Sequence, residues 1–108
     1  MTVLQRALAQ RLEQREELRK EVLSATLAAL DRLVTAGDAY LYGSVVRPGR
    51  FHERSDVDIA LTAAPGDVPV YRLQARLADA IGRPVDLCIL DETRFGPNIV
   101  REGVLWTR

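Results

Sequence analysis

Apolar residues in the first third of the chain recur at helical spacing. Leu4, Leu8, Leu12, Leu18, Val22, Leu23, Leu27, Leu30, Leu33 and Val34 follow one another mostly three or four residues apart, which predicts a helix from about Val3 to Val34. No Gly or Pro interrupts the run, and Gly37 follows it as a stop signal. The middle, Glu13 to Glu21, is densely charged, with Glu16 and Lys20 spaced for an i,i+4 pair. A helix of that length measures roughly 45–50 Å, whereas a core built from the remaining residues is roughly 25 Å across. The helix therefore either overhangs the core or breaks in two. Beyond it the period changes. Ala39 to Tyr42 is a short apolar strand, residues 45–55 form a loop rich in Arg, Pro and Gly, and Asp56 to Thr62 alternates strictly. Pro65-Gly66 marks a turn, and Val70, Leu73, Leu77 and Ile81 share one face of a helix over about 68–81, ended by Gly82. Val85 to Leu90 reads as a third strand, Phe95 to Glu102 as a short helix, and Val104 to Trp106 as a last extended segment. This order predicts an α/β (α+β) fold: a small mixed sheet with helices packed on one side and a long N-terminal helix.

Length and composition narrow the picture. At 108 residues, one domain over 1–108 is expected, with a helical segment at 1–36 and a core at 39–90. Fifteen basic residues balance fifteen acidic ones, so neither strong nucleic-acid binding nor attraction to anionic membranes is expected. No apolar run is long enough to span a bilayer, and the first ten residues lack the features of a signal peptide. A cytoplasmic location follows as an expectation. Cys88 is the only cysteine and His52 the only histidine, which excludes an intrachain disulfide, a cysteine-based zinc site and a two-histidine site. Leu4, Leu8 and Leu12 leave an apolar stripe on any overhanging part of the helix. Such a stripe is expected to pack on a second copy of the chain or on a partner, unless it folds back on its own sheet.

Three places carry candidate chemistry. Asp56 and Asp58 alternate along a strand, so both carboxylates emerge on one face while Val57, Ile59 and Leu61 enter the core. Their Cα atoms are roughly 6–7 Å apart, and two acids side by side repel unless a cation lies between them. Mg²⁺ suits such a pair when substrate phosphates complete its shell; a solvated strand end is the plainer alternative. Asp86 lies inside an apolar strand. It is either a third metal ligand, a general base, or an edge-strand aspartate meeting Arg83 or another arginine. Gly43-Ser44 closes the first strand, where a glycine permits close approach of a phosphate and the serine offers two donors; a plain turn is again the alternative.

Together these parts read Leu41-Tyr42-Gly43-Ser44-Val45-Val46-Arg47, then Phe51-His52-Glu53-Arg54-Ser55-Asp56-Val57-Asp58-Ile59-Ala60-Leu61. The constellation resembles the minimal nucleotidyltransferases of the polymerase-beta-like superfamily: Gly-Ser, a loop of about ten residues, Asp-x-Asp on a strand, and a further acid on a later strand. The resemblance implies a nucleotidyltransferase fold in which Gly43, Ser44 and Arg47 contact the nucleotide. Asp56, Asp58 and Asp86 are then the metal-binding and catalytic acids, two Mg²⁺ ions the cofactors and ATP the nucleotide. It further implies transfer of AMP to a hydroxyl of a partner protein, because members of this size are often antitoxins paired with a HEPN-domain toxin. A contact-only nucleotide-binding antitoxin and an antibiotic nucleotidyltransferase are the alternatives. The loop departs from the family pattern: it has eleven residues, and Val46-Arg47-Pro48 stands where Ala-Arg-Gly is usual. Arg47 is also readable as a solvated loop residue. Arg50, Arg54 and His52 read as loop surface, Cys88 as a core or site-wall residue, Trp106 as packing for the C-terminal segment rather than stacking on a base, and Tyr42 as a core or sheet-face residue rather than one beside the nucleotide.

Overall fold

Helix α1, Val3–Leu33, begins at a capping box. The Thr2 hydroxyl accepts from the Gln5 backbone N–H at 3.1 Å, and the Gln5 side chain accepts from the Thr2 N–H at 2.9 Å. In the computed structural model, which describes residues 1–108, α1 is unbroken. Its buried residues, Val22, Thr26, Ala29 and Leu30, all lie in its second half. Leu4, Leu8 and Leu12 are 70%, 48% and 55% exposed. The molecule is accordingly 55 Å long but only 28 Å by 20 Å in section, so of the two alternatives the helix overhangs. Thr26 is fully buried yet satisfied, because its hydroxyl donates to the Val22 carbonyl at 2.7 Å.

Two local expectations change. Glu16 pairs with Arg19, one turn away at i,i+3, and not with Lys20. Arg19 also donates to the Val45 carbonyl at 3.1 Å, so the arginine is held from both sides where a lysine pointing to solvent is not. Nor does Gly37 cap the helix: Val34, in an extended conformation, ends it with its N–H on the Leu30 carbonyl. Gly37 serves the following turn. It has φ 68°, and a Cβ there would lie 2.8 Å from Thr62 Oγ1.

Four strands follow: β1 (Ala39–Tyr42), β2 (Val57–Leu61), β3 (Val85–Ile89) and β4 (Val104–Trp106), in the order β3-β2-β1-β4. β1 pairs antiparallel with β2 and β4, while β2 and β3 run parallel. Parallel neighbours need a crossover, which α2 (Val70–Ile81) supplies. It starts two residues later than the apolar pattern suggests because Pro69 stands at its N-cap, and it ends at Gly82 in the left-handed region. The short α3 (Gly96–Glu102) has Pro97 in its first turn and delivers the chain to β4.

Strand alternation sorts the sheet into two faces. Leu41, Val57, Ile59, Leu61 and Leu87 meet Leu30 of α1 and Leu73 and Leu77 of α2 in one apolar cluster. Trp106 closes one edge of that cluster and donates its indole N–H to Asp31 at 3.0 Å. The opposite face carries Tyr42, Asp58, Asp86 and Cys88, none of them fully buried.

Candidate active site

The register of the sheet assembles the acids. Asp58 lies directly opposite Tyr42 on β1 and directly opposite Asp86 on β3. Asp56 precedes β2 rather than belonging to it, and is exposed. A single parallel pairing thus sets two carboxylates, twenty-eight positions apart in sequence, side by side. Asp58 bears the cost: burial, then the charges of Asp86 and Asp56, push its pKa up to about 6. No set of three His, Cys, Asp or Glu side chains forms a ready-made cage for a metal. Even so, all-oxygen donors with an uncompensated half-buried carboxylate at their centre fit a hard divalent cation that draws its remaining ligands from water and phosphate.

Gly43 shapes this site in a way the sequence does not disclose. Its φ is 75°, and a Cβ built there would lie 2.4 Å from Asp58 Oδ2. The space a side chain would take is occupied by the carboxylate itself. Gly43 opens a 3₁₀ turn through Val46, with half-buried Ser44 next and the Ser44 carbonyl accepting from the Arg47 N–H at 3.1 Å. Val45, fully buried, pins the turn to the core.

The loop from Arg47 to Ser55 is held at both ends despite its extra residue. Phe51 is 1% exposed, and the Arg83 guanidinium lies 4.9 Å from its ring centroid. Arg83 donates to the carbonyls of His52, Glu53 and Ser55 at 3.3, 3.2 and 2.8 Å. Ser55 Oγ accepts from the His52 N–H at 3.0 Å, and His52 Nδ1 accepts from the Arg54 N–H at 3.1 Å. Arg83 therefore does not pair with Asp86, and neither does any other arginine, although Asp86 does stand exposed on the edge strand β3. It fixes the loop that leads into Asp56. Only its rank among many arginines was visible beforehand; its three carbonyl partners are created by the fold.

Arg47 pairs with Glu102 of α3 at 2.9 Å, both about half exposed. Between them, Tyr42 and Gly43, a cavity of about 220 Å³ opens against α3. None of the three aspartates lines it. Tyr42 Oη lies 3.6 Å from Cys88 Sγ, and burial together with that contact raises the phenol's pKa. Cys88 is thus a site-wall residue, Tyr42 a sheet-face residue beside Asp58, and Trp106 a packing residue.

This geometry can be set beside known proteins. The polymerase beta nucleotidyltransferase family model matches residues 29–107. No curated protein sequence matches. Among solved structures, a toxin-antitoxin crystal structure with AMP-PNP is 25% identical, with a TM-score of 0.61 over 79% of this chain and 73% of the other. A protein assigned as a minimal nucleotidyltransferase is 27% identical, with a TM-score of 0.52 over 86% and 93% of the two chains. The toxin-antitoxin MntA-HepT, at 23% identity and a TM-score of 0.50 over 85% and 73%, shares the fold. No helix of the chain is long and apolar enough to cross a membrane. With its mixed sheet, its glycine turn against Asp58 and its paired strand acids, the chain belongs to the polymerase beta-type nucleotidyltransferases.

Proposed function

We propose that this nucleotidyltransferase transfers AMP from ATP to a hydroxyl on a partner protein, and that it is the antitoxin of a toxin-antitoxin pair. The observation carrying the chemistry is the Asp58–Asp86 register beside the Gly43 turn. The partner class rests on the likeness to a toxin-antitoxin structure with AMP-PNP, and a HEPN-domain toxin is the partner the sequence resemblance implies. In this reading Asp56 and Asp58, with Asp86 beside them, hold two Mg²⁺ ions. When bound, the ions neutralise the charge of the triphosphate and of the reacting oxygens. The Gly43 turn, packed against Asp58, offers backbone N–H groups to the triphosphate, Ser44 donates to it, and Arg47 exchanges Glu102 for a phosphate oxygen. The acceptor oxygen attacks the α-phosphorus, the bond to pyrophosphate breaks, and Asp86 takes the hydroxyl proton. Overhanging Leu4, Leu8 and Leu12 form a contact with a second copy or with the toxin.

The test mixes purified partner toxin, this chain and Mg²⁺-ATP, and weighs the partner. A mass gain of one AMP, lost with Asp56→Asn/Asp58→Asn, supports transfer. Equal inhibition by that double variant with no adduct in either case replaces it with a contact-only antitoxin.

A further inference from the structure

The cavity beside Gly43 shares Gly43, Arg47 and Glu102 with the triphosphate site proposed above, and the rest of its lining has no role there. Its lining includes Tyr42 and Gly43 at the end of β1, and Thr93, Phe95, Asn98 and Ile99 around the start of α3. At about 220 Å³ it falls below the roughly 300–1,000 Å³ of pockets for drug-sized molecules, and it suits one planar heterocycle. The glycine turn and an aromatic ring both line it. That ring, Phe95, is 53% exposed although it is a large apolar side chain. The Arg94 guanidinium lies 4.9 Å from its centroid. Its backbone is held at both polar groups: the Phe95 N–H donates to Thr93 Oγ1 at 3.3 Å, and the Phe95 carbonyl accepts from the Ile99 N–H at 2.9 Å.

An exposed phenyl ring on a fixed backbone, with a guanidinium over it, is the stacking platform that nucleobases use. Asn98 stands on the same lining, exposed, with its Oδ1 accepting from Arg101. A carboxamide presents one acceptor and one donor side by side. That pair matches adenine, whose N6 donates and N7 accepts, and it mismatches guanine, whose O6 and N7 both accept.

We infer that this cavity is the nucleobase subsite, with Phe95 stacking on the base and Asn98 selecting adenine. The inference rests on the nucleotidyltransferase site proposed above and adds to it the residues that set which nucleotide is taken. Neither residue belongs to the motif that identifies the family site. Both are exposed, so replacing them should leave the melting temperature unchanged.

The experiment is calorimetry of the full chain with Mg²⁺ and three probes: ATP, GTP and inorganic tripolyphosphate. The expected result is that the wild-type chain prefers ATP to GTP. Phe95→Ala and Asn98→Ala each weaken ATP binding roughly tenfold while tripolyphosphate binds as before. Asn98→Ala also loses the preference for ATP over GTP, and Phe95→Tyr, which keeps the ring, keeps ATP affinity. ATP binding unchanged in both alanine variants, yet lost in Asp56→Asn/Asp58→Asn, overturns the base subsite and leaves the phosphate site standing. Failure of the wild-type chain to bind tripolyphosphate and ATP alike overturns both.

Discussion

Replacing Gly43 by alanine tests the contact between the glycine turn and Asp58, and Gly49 provides the control. Both glycines have left-handed backbones, with φ 75° and 80°. A non-glycine residue in that region costs about 1–2 kcal/mol. At Gly49 a Cβ meets nothing within 4 Å, so Gly49→Ala should incur that cost alone. At Gly43 the new Cβ lies 2.4 Å from Asp58 Oδ2, about 1 Å inside ordinary contact. Asp58 must leave its rotamer, at a further cost of about 0.5–1.5 kcal/mol. With about 4–8 °C per kcal/mol for a domain near this size, Gly49→Ala should lower Tm by roughly 4–16 °C and Gly43→Ala by roughly 2–12 °C more. Thermal melts followed by circular dichroism in metal-free buffer read both. Asp58→Ala removes the charge penalty in either background, so it should recover about 1 kcal/mol more in the Gly43→Ala background than in the Gly49→Ala background. Equal melting of the two glycine variants, or equal recovery in both backgrounds, would refute the claim that the missing side chain makes room for the carboxylate.

Asp58→Asn should stabilise the metal-free chain. Its folded pKa of about 6 lies above the ordinary 3.8, so its charge destabilises the fold; the penalty is absent below about pH 4, grows as pH rises through 6, and is full above. A two-unit shift is worth about 3 kcal/mol, roughly halved because the group is half in water. The variant should therefore gain several degrees in Tm at pH 7.5 and nothing at pH 4, and saturating Mg²⁺ should shrink the gain; a pH-independent gain contradicts the electrostatic cause. Asp86→Asn should keep nucleotide binding by calorimetry but slow AMP transfer about 10²–10⁴-fold, and full activity would make it structural. Arg83→Ala should speed amide exchange at Ser55, whose N–H bonds the His52 carbonyl. Arg83→Lys should not restore full protection, since an ammonium that reaches the three carbonyls, all bonded here by Nη1 alone, gives up the planar guanidinium's seat over the Phe51 ring; full rescue by lysine would mean that charge alone suffices. Leu4→Gln, Leu8→Gln and Leu12→Gln together should reduce any dimer or toxin complex seen by light scattering without changing Tm. An assembly unaffected by them would clear the helix of that role.

The sequence carried the fold where local physics dominates. The period of α1, the alternation of β2 and the Gly82 stop depend on neighbours within a turn or two, and they appear within a residue or two of where the pattern puts them. Glu16 illustrates the limit: both Arg19 and Lys20 are within reach, and the choice falls to Arg19 because the Val45 carbonyl, far along the chain, also holds it. The candidate site divides the same way. Alternation alone sends Asp58 out of the core, but nothing local states that β2 and β3 run parallel in the register that sets Asp58 against Asp86. Gly43 showed as a flexible turn residue; that its hydrogen faces a carboxylate is a fact of β1–β2 pairing. Phe95 and Asn98 had no signal, since an aromatic near a helix start is common, and Arg83 stood out only as a candidate partner for Asp86, a contact that the fold does not make.

The overhang of α1 has a consequence for when that segment is ordered. A helix of a dozen residues by itself barely forms in water, because nucleation is unfavourable and each added residue gains little. The first three turns escape nucleation by growing from a segment that Val22, Thr26, Ala29 and Leu30 already hold, and the Thr2–Gln5 box closes their free end. Their helicity is therefore a propagation equilibrium that shifts while the core stays folded. They fray and re-form in the time of a helix-coil step while the sheet stays intact. Whatever docks on Leu4, Leu8 and Leu12 meets a surface that is nearly but not wholly prepared, and its affinity is reduced by the small free energy of finishing the helix. Sequence changes in those turns that touch no partner, such as alanine for Gln10, would tune that affinity through propensity alone.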